Sequence, residues 1–122
     1  MGKRVLVVDD EPNIVMSLEF LMRRAGFDVE VARNGREALA ALDGPPPIDA
    51  VLMDVMMPGM DGNAAMTAIR SRPEHADLPI IAVTAKAMNG DRERSLQAGA
   101  SDYVTKPVDT EHLLGLLRDH FA

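Results

Sequence analysis

Apolar residues in this sequence concentrate in five short runs, and the longer segments between them show apolar residues at a helical period. The runs occupy residues 5–8, 29–31, 50–53, 80–83 and 103–105. Short runs that are rich in β-branched residues predict strands. Three of them, at 5–8, 50–53 and 80–83, are apolar throughout, which is typical of strands buried on both faces of a sheet.

Five helices are predicted, one after each strand. Pro12 fits the first turn of a helix, and Gly26 is placed to end that helix in a left-handed conformation. Gly99 closes the fourth predicted helix. The helices are predicted to begin at Pro12, after Asn34-Gly35, at Ala64, at Asp91 and after a cap at Asp109-Thr110. The last helix carries four leucines on its predicted buried side, namely Leu113, Leu114, Leu116 and Leu117.

Strands that alternate with helices indicate an α/β fold. Parallel strands covered on both faces by helices form a three-layer αβα sandwich around a five-stranded parallel sheet. The proline triplet at residues 45–47 cannot continue a helix and is predicted to be a connecting loop. No internal repeat or linker divides the sequence, so we expect one domain over residues 1–122.

Composition and charge disfavour several classes of function. The 122 residues include 19 acidic and 13 basic ones, a formal net charge of −6, and direct nucleic acid binding would need a basic surface instead. The sequence has no cysteine, which excludes thiol nucleophiles and cysteine-ligated metal centres. No apolar run approaches the roughly 20 residues that cross a bilayer. We therefore expect a cytoplasmic protein that contacts neither nucleic acid nor membrane.

Acidic, hydroxyl and amino side chains stand at the carboxyl ends of four predicted strands. Asp9 and Asp10 follow the first strand, Asp54 the third, Thr84 the fourth and Lys106 the fifth. The carboxyl ends of parallel strands share one edge of a sheet, where open α/β folds bind ligands. We therefore expect these five residues to converge on one site.

Three carboxylates in one site repel each other, by roughly 4 kcal/mol for two unit charges 4 Å apart at an effective dielectric of about 20. Lys106 and a hard divalent cation would offset this repulsion. Mg²⁺ is the natural candidate, because it accepts few carboxylates and keeps several waters. A carboxylate beside Mg²⁺, a hydroxyl and a lysine is suited to nucleophilic attack on phosphorus.

The sequence resembles the receiver domain of the response regulators of two-component phosphorelay signalling. The resemblance covers essentially the whole chain and implies a flavodoxin-like fold with strand order 2-1-3-4-5. Four segments together carry it, namely Val7-Val8-Asp9-Asp10-Glu11, the ten residues from Met53 to Gly62, Val83-Thr84-Ala85 and the six residues from Asp102 to Pro107.

The resemblance implies the phosphoacceptor and the metal ligands. Asp54 would accept a phosphoryl group from the phosphohistidine of a histidine kinase or a histidine phosphotransfer protein. Mg²⁺ would be held by Asp10 directly, by Asp9 mainly through a water, by Asp54 and by the backbone carbonyl of Met56.

The resemblance also implies a switch. Thr84 and Lys106 would bind phosphoryl oxygens, and the peptide bond between Lys106 and Pro107 is expected to be cis. Once Asp54 is modified, Thr84 would move towards the phosphoryl group and Tyr103 would turn inward. The surface formed by the fourth helix, the fifth strand and the fifth helix would then change for a downstream protein partner.

Each of these residues also has a purely structural interpretation. Asp9 or Asp10 can cap a helix that begins at Pro12, and Asp54 can be a turn residue. Tyr103 can be ordinary core packing, and Lys106 a solvated loop charge. The combination at one predicted edge favours the functional interpretation.

Other functions remain alternatives at this point. A phosphatase of the haloacid-dehalogenase type would need an Asp-x-Asp arrangement after the first strand, whereas Asp9 and Asp10 are adjacent. Nucleotide binding is disfavoured because neither common glycine-rich phosphate motif occurs. A receiver that binds proteins without phosphorylation, or one excised from a hybrid histidine kinase, fits the sequence too. We expect a phosphoacceptor, monomeric or weakly dimeric, rather than a turnover enzyme.

Overall fold

A computed structural model of the protein describes residues 3–55, 62–84 and 90–121. Its strands are β1 (Arg4–Val8), β2 (Asp28–Ala32), β3 (Ala50–Asp54), β4 (Ile80–Thr84) and β5 (Asp102–Thr105). Its helices are α1 (Pro12–Arg24), α2 (Gly35–Asp43), α3 (Gly62–Arg70), α4 (Asp91–Ala98) and α5 (Thr110–Phe121). A short 3₁₀ turn at Pro73–His75, which the sequence analysis did not predict, lies between α3 and β4.

The strands form one parallel sheet in the order β2-β1-β3-β4-β5. This order confirms the predicted flavodoxin-like α/β fold. Residues at the carboxyl ends of neighbouring strands pair in register, as Val8 does with Met53, Asp54 with Val83 and Thr84 with Thr105. The residues that follow the strands therefore lie along one edge of the sheet.

Two apolar clusters cover the two faces of the sheet and make the αβα layers. On one face, buried residues of α2 and α3 pack against alternate residues of the strands, including Leu6, Met53 and Ala82. On the other face, α1 and α5 bury Leu18, Met22, Leu113 and Leu117 against the intervening strand residues. The alternation along β1, β3 and β4 explains why the runs at 5–8, 50–53 and 80–83 are apolar throughout.

The helix ends follow the predicted chemistry with small differences. Gly26 and Gly99 adopt φ values of 97° and 125°, in the region that favours glycine. Asn34 caps α2 by accepting a hydrogen bond from the Glu37 backbone N–H. Helix α3 begins at Gly62, two residues before the predicted start at Ala64. In α5, Leu113 and Leu117 are buried, whereas the other two predicted leucines are half-buried.

None of the helices in the described part of the chain combines the length and the apolar character that crossing a membrane requires.

Candidate functional site

Three carboxylates converge at the carboxyl edge of the sheet, as the sequence analysis predicted. Asp9 and Asp10 follow β1, and Asp54 is the last residue of β3. One carboxylate oxygen from each of them lies within 4.8 Å of the other two. Asp9 and Asp54 are buried and Asp10 is exposed, so the cluster has one face towards solvent.

Asp9 is held in place from two sides. Its Oδ1 accepts a hydrogen bond from the Glu11 backbone N–H at 2.9 Å, and its Oδ2 accepts one from Lys106 Nζ at 2.9 Å. Glu11, and neither aspartate, is the residue that caps α1, through a hydrogen bond from the Asn13 backbone N–H. The capping interpretation of Asp9 and Asp10 was therefore wrong.

Lys106, which follows β5, contacts residues at the carboxyl ends of β1, β3 and β4. Its ammonium nitrogen lies 2.9 Å from Asp9 Oδ2 and 3.7 Å from Asp54 Oδ1. Its backbone N–H donates to the carbonyl oxygen of Thr84 at 2.7 Å, and its peptide bond to Pro107 is cis. The ammonium group is thus a neighbour of two buried carboxylates rather than a solvated surface charge.

The charges of the site leave room for a divalent cation. Three carboxylates against one ammonium group give the cluster a formal charge of −2 at neutral pH. Carboxylate oxygens are the ligands that Mg²⁺ and Ca²⁺ prefer. The chemistry of the donors, their mutual distances and the exposed face of Asp10 therefore fit a hard divalent ion.

Thr84 and Tyr103 share the sheet face that α3 and α4 cover. Thr84 is a buried residue at the end of β4. Tyr103 pairs with Ala82, which lies two residues before Thr84 and on the same face of the sheet. Tyr103 is half-buried and packs against the apolar cluster on that face, which α4 joins through Ala98. The two residues of the predicted switch therefore lie on the same face of the sheet.

Gly62 packs directly on the backbone of Asp54. Its N–H donates to the carbonyl oxygen of Val55 at 3.1 Å. A Cβ atom at residue 62 would lie 2.2 Å from the Asp54 carbonyl oxygen and 2.7 Å from the Val55 Cα atom. The first residue of α3 thus fixes the backbone that carries the Asp54 carboxylate. The sequence analysis named Gly62 only as the end of a segment that carries the family resemblance.

Two adjoining clefts open at this edge. The acidic cleft, of about 570 Å³, is lined by Asp9, Asp10, Glu11, Ile14, Asp54, Lys106 and Pro107. A groove with only one charged residue, Lys106, in its described lining runs beside it. Its lining residues are Ile14, Ser17, Leu18, Leu21, Lys106, Pro107, Val108 and Thr110. The groove lies between α1 and the start of α5. The sequence analysis assigned no role to Glu11 or to the groove, because only tertiary contact brings these residues together.

Five of the predicted site residues, Asp9, Asp10, Asp54, Thr84 and Lys106, therefore lie at one edge of the sheet. The remaining predicted ligand, the backbone carbonyl of Met56, lies outside the described residues.

The family model of the response regulator receiver domain matches residues 5–118 of this chain. The chain is a member of the response regulator receiver family.

Solved structures of receivers have the same fold. A putative response regulator from Chloroflexus aurantiacus is 32% identical with a TM-score of 0.92, and the match covers 98% of each chain. The chemotaxis protein CheY4 from Vibrio cholerae is 31% identical with a TM-score of 0.90, again with 98% of each chain covered.

A third similar structure is the receiver domain of a sensor histidine kinase from Pseudomonas aeruginosa, which holds a magnesium ion in its active site cleft. It is 36% identical with a TM-score of 0.89, and the match covers 98% of this chain and 97% of that one. Receivers similar to this chain thus include both response regulators and a domain of a sensor kinase.

Proposed function

We propose that this receiver is a phosphorylation switch in which Asp54 accepts a phosphoryl group. The observation that supports it most is the environment of the Asp54 carboxylate. That group is buried, lies 3.7 Å from the Lys106 ammonium nitrogen and stands within 4.8 Å of carboxylate oxygens of Asp9 and Asp10. Phosphoryl transfer depends mainly on positioning and on neutralising charge. The Lys106 ammonium group, together with a divalent cation held by the carboxylates, would supply the neutralising charge.

The proposed reaction forms an acyl phosphate. A carboxylate oxygen of Asp54 bonds to phosphorus, the phosphorus–nitrogen bond of a phosphohistidine breaks, and the departing imidazole nitrogen takes up a proton. Lys106 stabilises charge on the phosphoryl oxygens, and the Thr84 hydroxyl donates a hydrogen bond to one of them. Hydrolysis by water later restores the carboxylate and releases phosphate.

The residues of the site fit Mg²⁺. Asp9, Asp10 and Asp54 would hold it, together with the Met56 carbonyl that the family resemblance implies. When bound, the ion neutralises charge on the phosphoryl oxygens. Asp10 is the exposed carboxylate of the three, so its side chain stands at the solvent side of the cluster.

The proposed phosphodonor is a histidine kinase or a histidine phosphotransfer protein. A donor that reaches Asp54 must cover the mouth of the acidic cleft, and the adjoining groove shares Ile14, Lys106 and Pro107 with that cleft. The groove offers an apolar surface beside the reactive carboxylate. We propose that the partner rests on it during transfer.

The proposed response to phosphorylation is a conformational change on the sheet face that carries Thr84 and Tyr103. A phosphoryl group brings charge and strong acceptor oxygens, which would draw the Thr84 hydroxyl towards Asp54. Tyr103 packs on the same sheet face, so it would move into the space beside Thr84, and the surface of α4, β5 and α5 would change for a downstream partner. We propose a switch of this kind in the cytoplasm, monomeric or weakly dimeric, rather than a turnover enzyme.

The test is to incubate the protein with phosphoramidate, which carries a phosphorus–nitrogen bond, as phosphohistidine does. We expect a mass increase of one phosphoryl group that needs Mg²⁺ and is lost in alkali, as an acyl phosphate is. EDTA should prevent its formation. No adduct at any Mg²⁺ concentration would contradict the proposal and favour a receiver that binds proteins without phosphorylation.

Mg²⁺ alone is expected to stabilise the fold, because it binds the native cluster and not the unfolded chain. At ten times its dissociation constant the gain is about 1.4 kcal/mol, which corresponds to a rise in Tm of roughly 5 °C for a domain of this size. Thermal unfolding at constant ionic strength measures it.

Asp10→Asn should remove most of that rise, because it deletes one charged ligand from the solvent side of the cluster. Asp28→Asn is the matched control, because Asp28 is exposed at the opposite edge of the sheet. If Mg²⁺ raised the Tm of Asp10→Asn as much as that of Asp28→Asn, the ion would bind elsewhere.

A further inference from the structure

Helix α1 has an exposed outer face with two large apolar side chains at its centre. Asn13, Met16, Ser17, Phe20 and Arg24 are all exposed. Their spacing of three or four residues places them on one side of the helix, and these five residues form the outer face of α1. Met16 is 67% exposed and Phe20 is 63% exposed, so most of their apolar surface is in contact with water.

Exposed large apolar side chains are rare in the rest of the described chain. Within residues 3–55, 62–84 and 90–121, the one other example is Leu96 of α4, which is 37% exposed. Met16 and Phe20 are neighbours on their helix, and adjoining exposed apolar side chains mark contacts with other molecules. The opposite side of α1 already packs on the sheet. Burial of the outer face therefore requires a second molecule.

The two ends of α1 carry opposite charges. Asp10 and Glu11 are exposed at its N-terminal end, and Arg23 and Arg24 are exposed in its last turn. Arg23 pairs with Glu19 of the same helix at 2.9 Å, whereas Arg24 lies on the outer face. The surface of α1 is thus acidic at one end, apolar in the middle and basic at the other end. Such a surface is complementary to a copy of itself that runs in the opposite direction.

An antiparallel pair of α1 helices matches these positions residue by residue. A two-fold axis at the level of Leu18 brings Met16 of each copy against Phe20 of the other, because both residues lie two positions from Leu18. A thioether beside an aromatic ring is a favourable contact. Glu11 lies seven positions before Leu18 and Arg24 six positions after it, so opposite charges meet at both ends of the pair.

We propose that a second copy of this chain docks on the outer face of α1 and forms a two-fold symmetric dimer. Both copies supply the same surface, so each contact occurs twice. Ser17 also lines the groove beside the acidic cleft, so the interface borders the surface proposed for the phosphodonor. The dimer goes beyond the proposed function, since self-association needs no phosphoryl group.

The proposed interface is small, so the dimer is weak. A standard stable interface buries roughly 800 Å² on each partner and takes about 20–30 residues a side. Helix α1 has 13 residues and offers one side of itself. The net charge of −6 on each copy also opposes association. We therefore expect a dissociation constant of about 0.1–1 mM, near the weak end of specific binding.

Sedimentation equilibrium of the full chain, without Mg²⁺ or phosphodonor, tests the dimer. Salt at about 0.15 M screens the repulsion between the two net charges. The weight-average mass should stay close to that of one chain at about 10 µM and reach about one and a half times that value or more at about 1 mM, by mass action. A protein that remains monomeric at the highest concentration would overturn the proposal and leave the outer face to a different partner.

Phe20→Gln tests where the dimer forms. Glutamine is a good helix former, and the exposed position should tolerate it. Because the substitution acts twice in a two-fold dimer, the dissociation constant should rise at least about tenfold. Leu96→Gln is the matched control, since it removes the exposed leucine of α4, and it should associate as the wild type does. Undiminished association of Phe20→Gln would overturn the proposal, and loss of association in Leu96→Gln alone would move the interface to α4.

Exchange of the end charges tests the antiparallel arrangement. Arg24→Glu brings acidic side chains together at both ends of the pair, and Glu11→Lys brings basic ones together, so each variant alone should associate less than the wild type. An equal mixture of the two variants should associate more than either alone, because both ends of the mixed dimer then carry opposite charges. Circular dichroism checks that each variant keeps its helices. A mixture no more associated than its components would contradict the antiparallel contact.

Discussion

Asp54→Asn is expected to reduce Mg²⁺-dependent labelling by phosphoramidate to background while the protein stays folded. The amide has the size of the carboxylate but is not a nucleophile towards phosphorus. Substitution also removes one of three clustered negative charges, and two such charges 4 Å apart repel by roughly 4 kcal/mol at an effective dielectric of about 20. The loss of this repulsion between carboxylates offsets the loss of the attraction between Asp54 and the Lys106 ammonium group. Intact-protein mass measures the labelling, and circular dichroism checks the fold.

The control for this substitution is Asp28→Asn, which makes the same chemical change at an exposed residue of β2. It should label as the wild type does. Peptide mapping after borohydride reduction locates the acyl phosphate in the wild type. An alkali-labile, Mg²⁺-dependent adduct that persists in Asp54→Asn at Asp9 or Asp10 would transfer the acceptor role to that residue.

Gly62→Ala is expected to be strongly destabilising although it adds one methyl group. The new Cβ atom would stand 2.2 Å from the Asp54 carbonyl oxygen and within 3 Å of two further backbone atoms. Backbone atoms cannot move aside as a flexible side chain can, so the cost should reach about 3 kcal/mol, the upper end for overpacking. With a urea m-value of about 1.5 kcal/mol/M, the midpoint would fall by about 2 M.

Gly115→Ala makes the same substitution with the opposite expected result. Gly115 lies within α5, and an added Cβ would meet nothing within 4 Å. Alanine is favoured over glycine in a helix by up to about 1 kcal/mol, so the midpoint should rise. Equal urea midpoints for Gly62→Ala and the wild type would mean that α3 can shift away from Asp54 without loss.

The periodicity of this sequence was enough to predict an α/β fold with parallel strands, because the strands are short and mostly apolar and the helices begin or end at residues with distinct chemistry. The strand order 2-1-3-4-5 was implied by the family resemblance. Pro12, Asn34 and Gly99 act within a few residues of themselves, so a local pattern reveals them. Asp9, Asp54 and Lys106 were also predictable as neighbours, because parallel strands place their carboxyl ends at one edge whatever their separation in sequence.

What the tertiary structure alone decided is how these residues touch their neighbours. The sequence analysis assigned no role to Arg70, yet this side chain donates hydrogen bonds to carbonyl oxygens of two other segments. The sequence identified Gly62 only as the end of a segment that carries the family resemblance, yet this glycine packs on the backbone of the proposed acceptor. A one-dimensional pattern records the polarity of each residue and its local backbone preference. It does not record the distances between distant segments, which arise when the helices settle on the sheet.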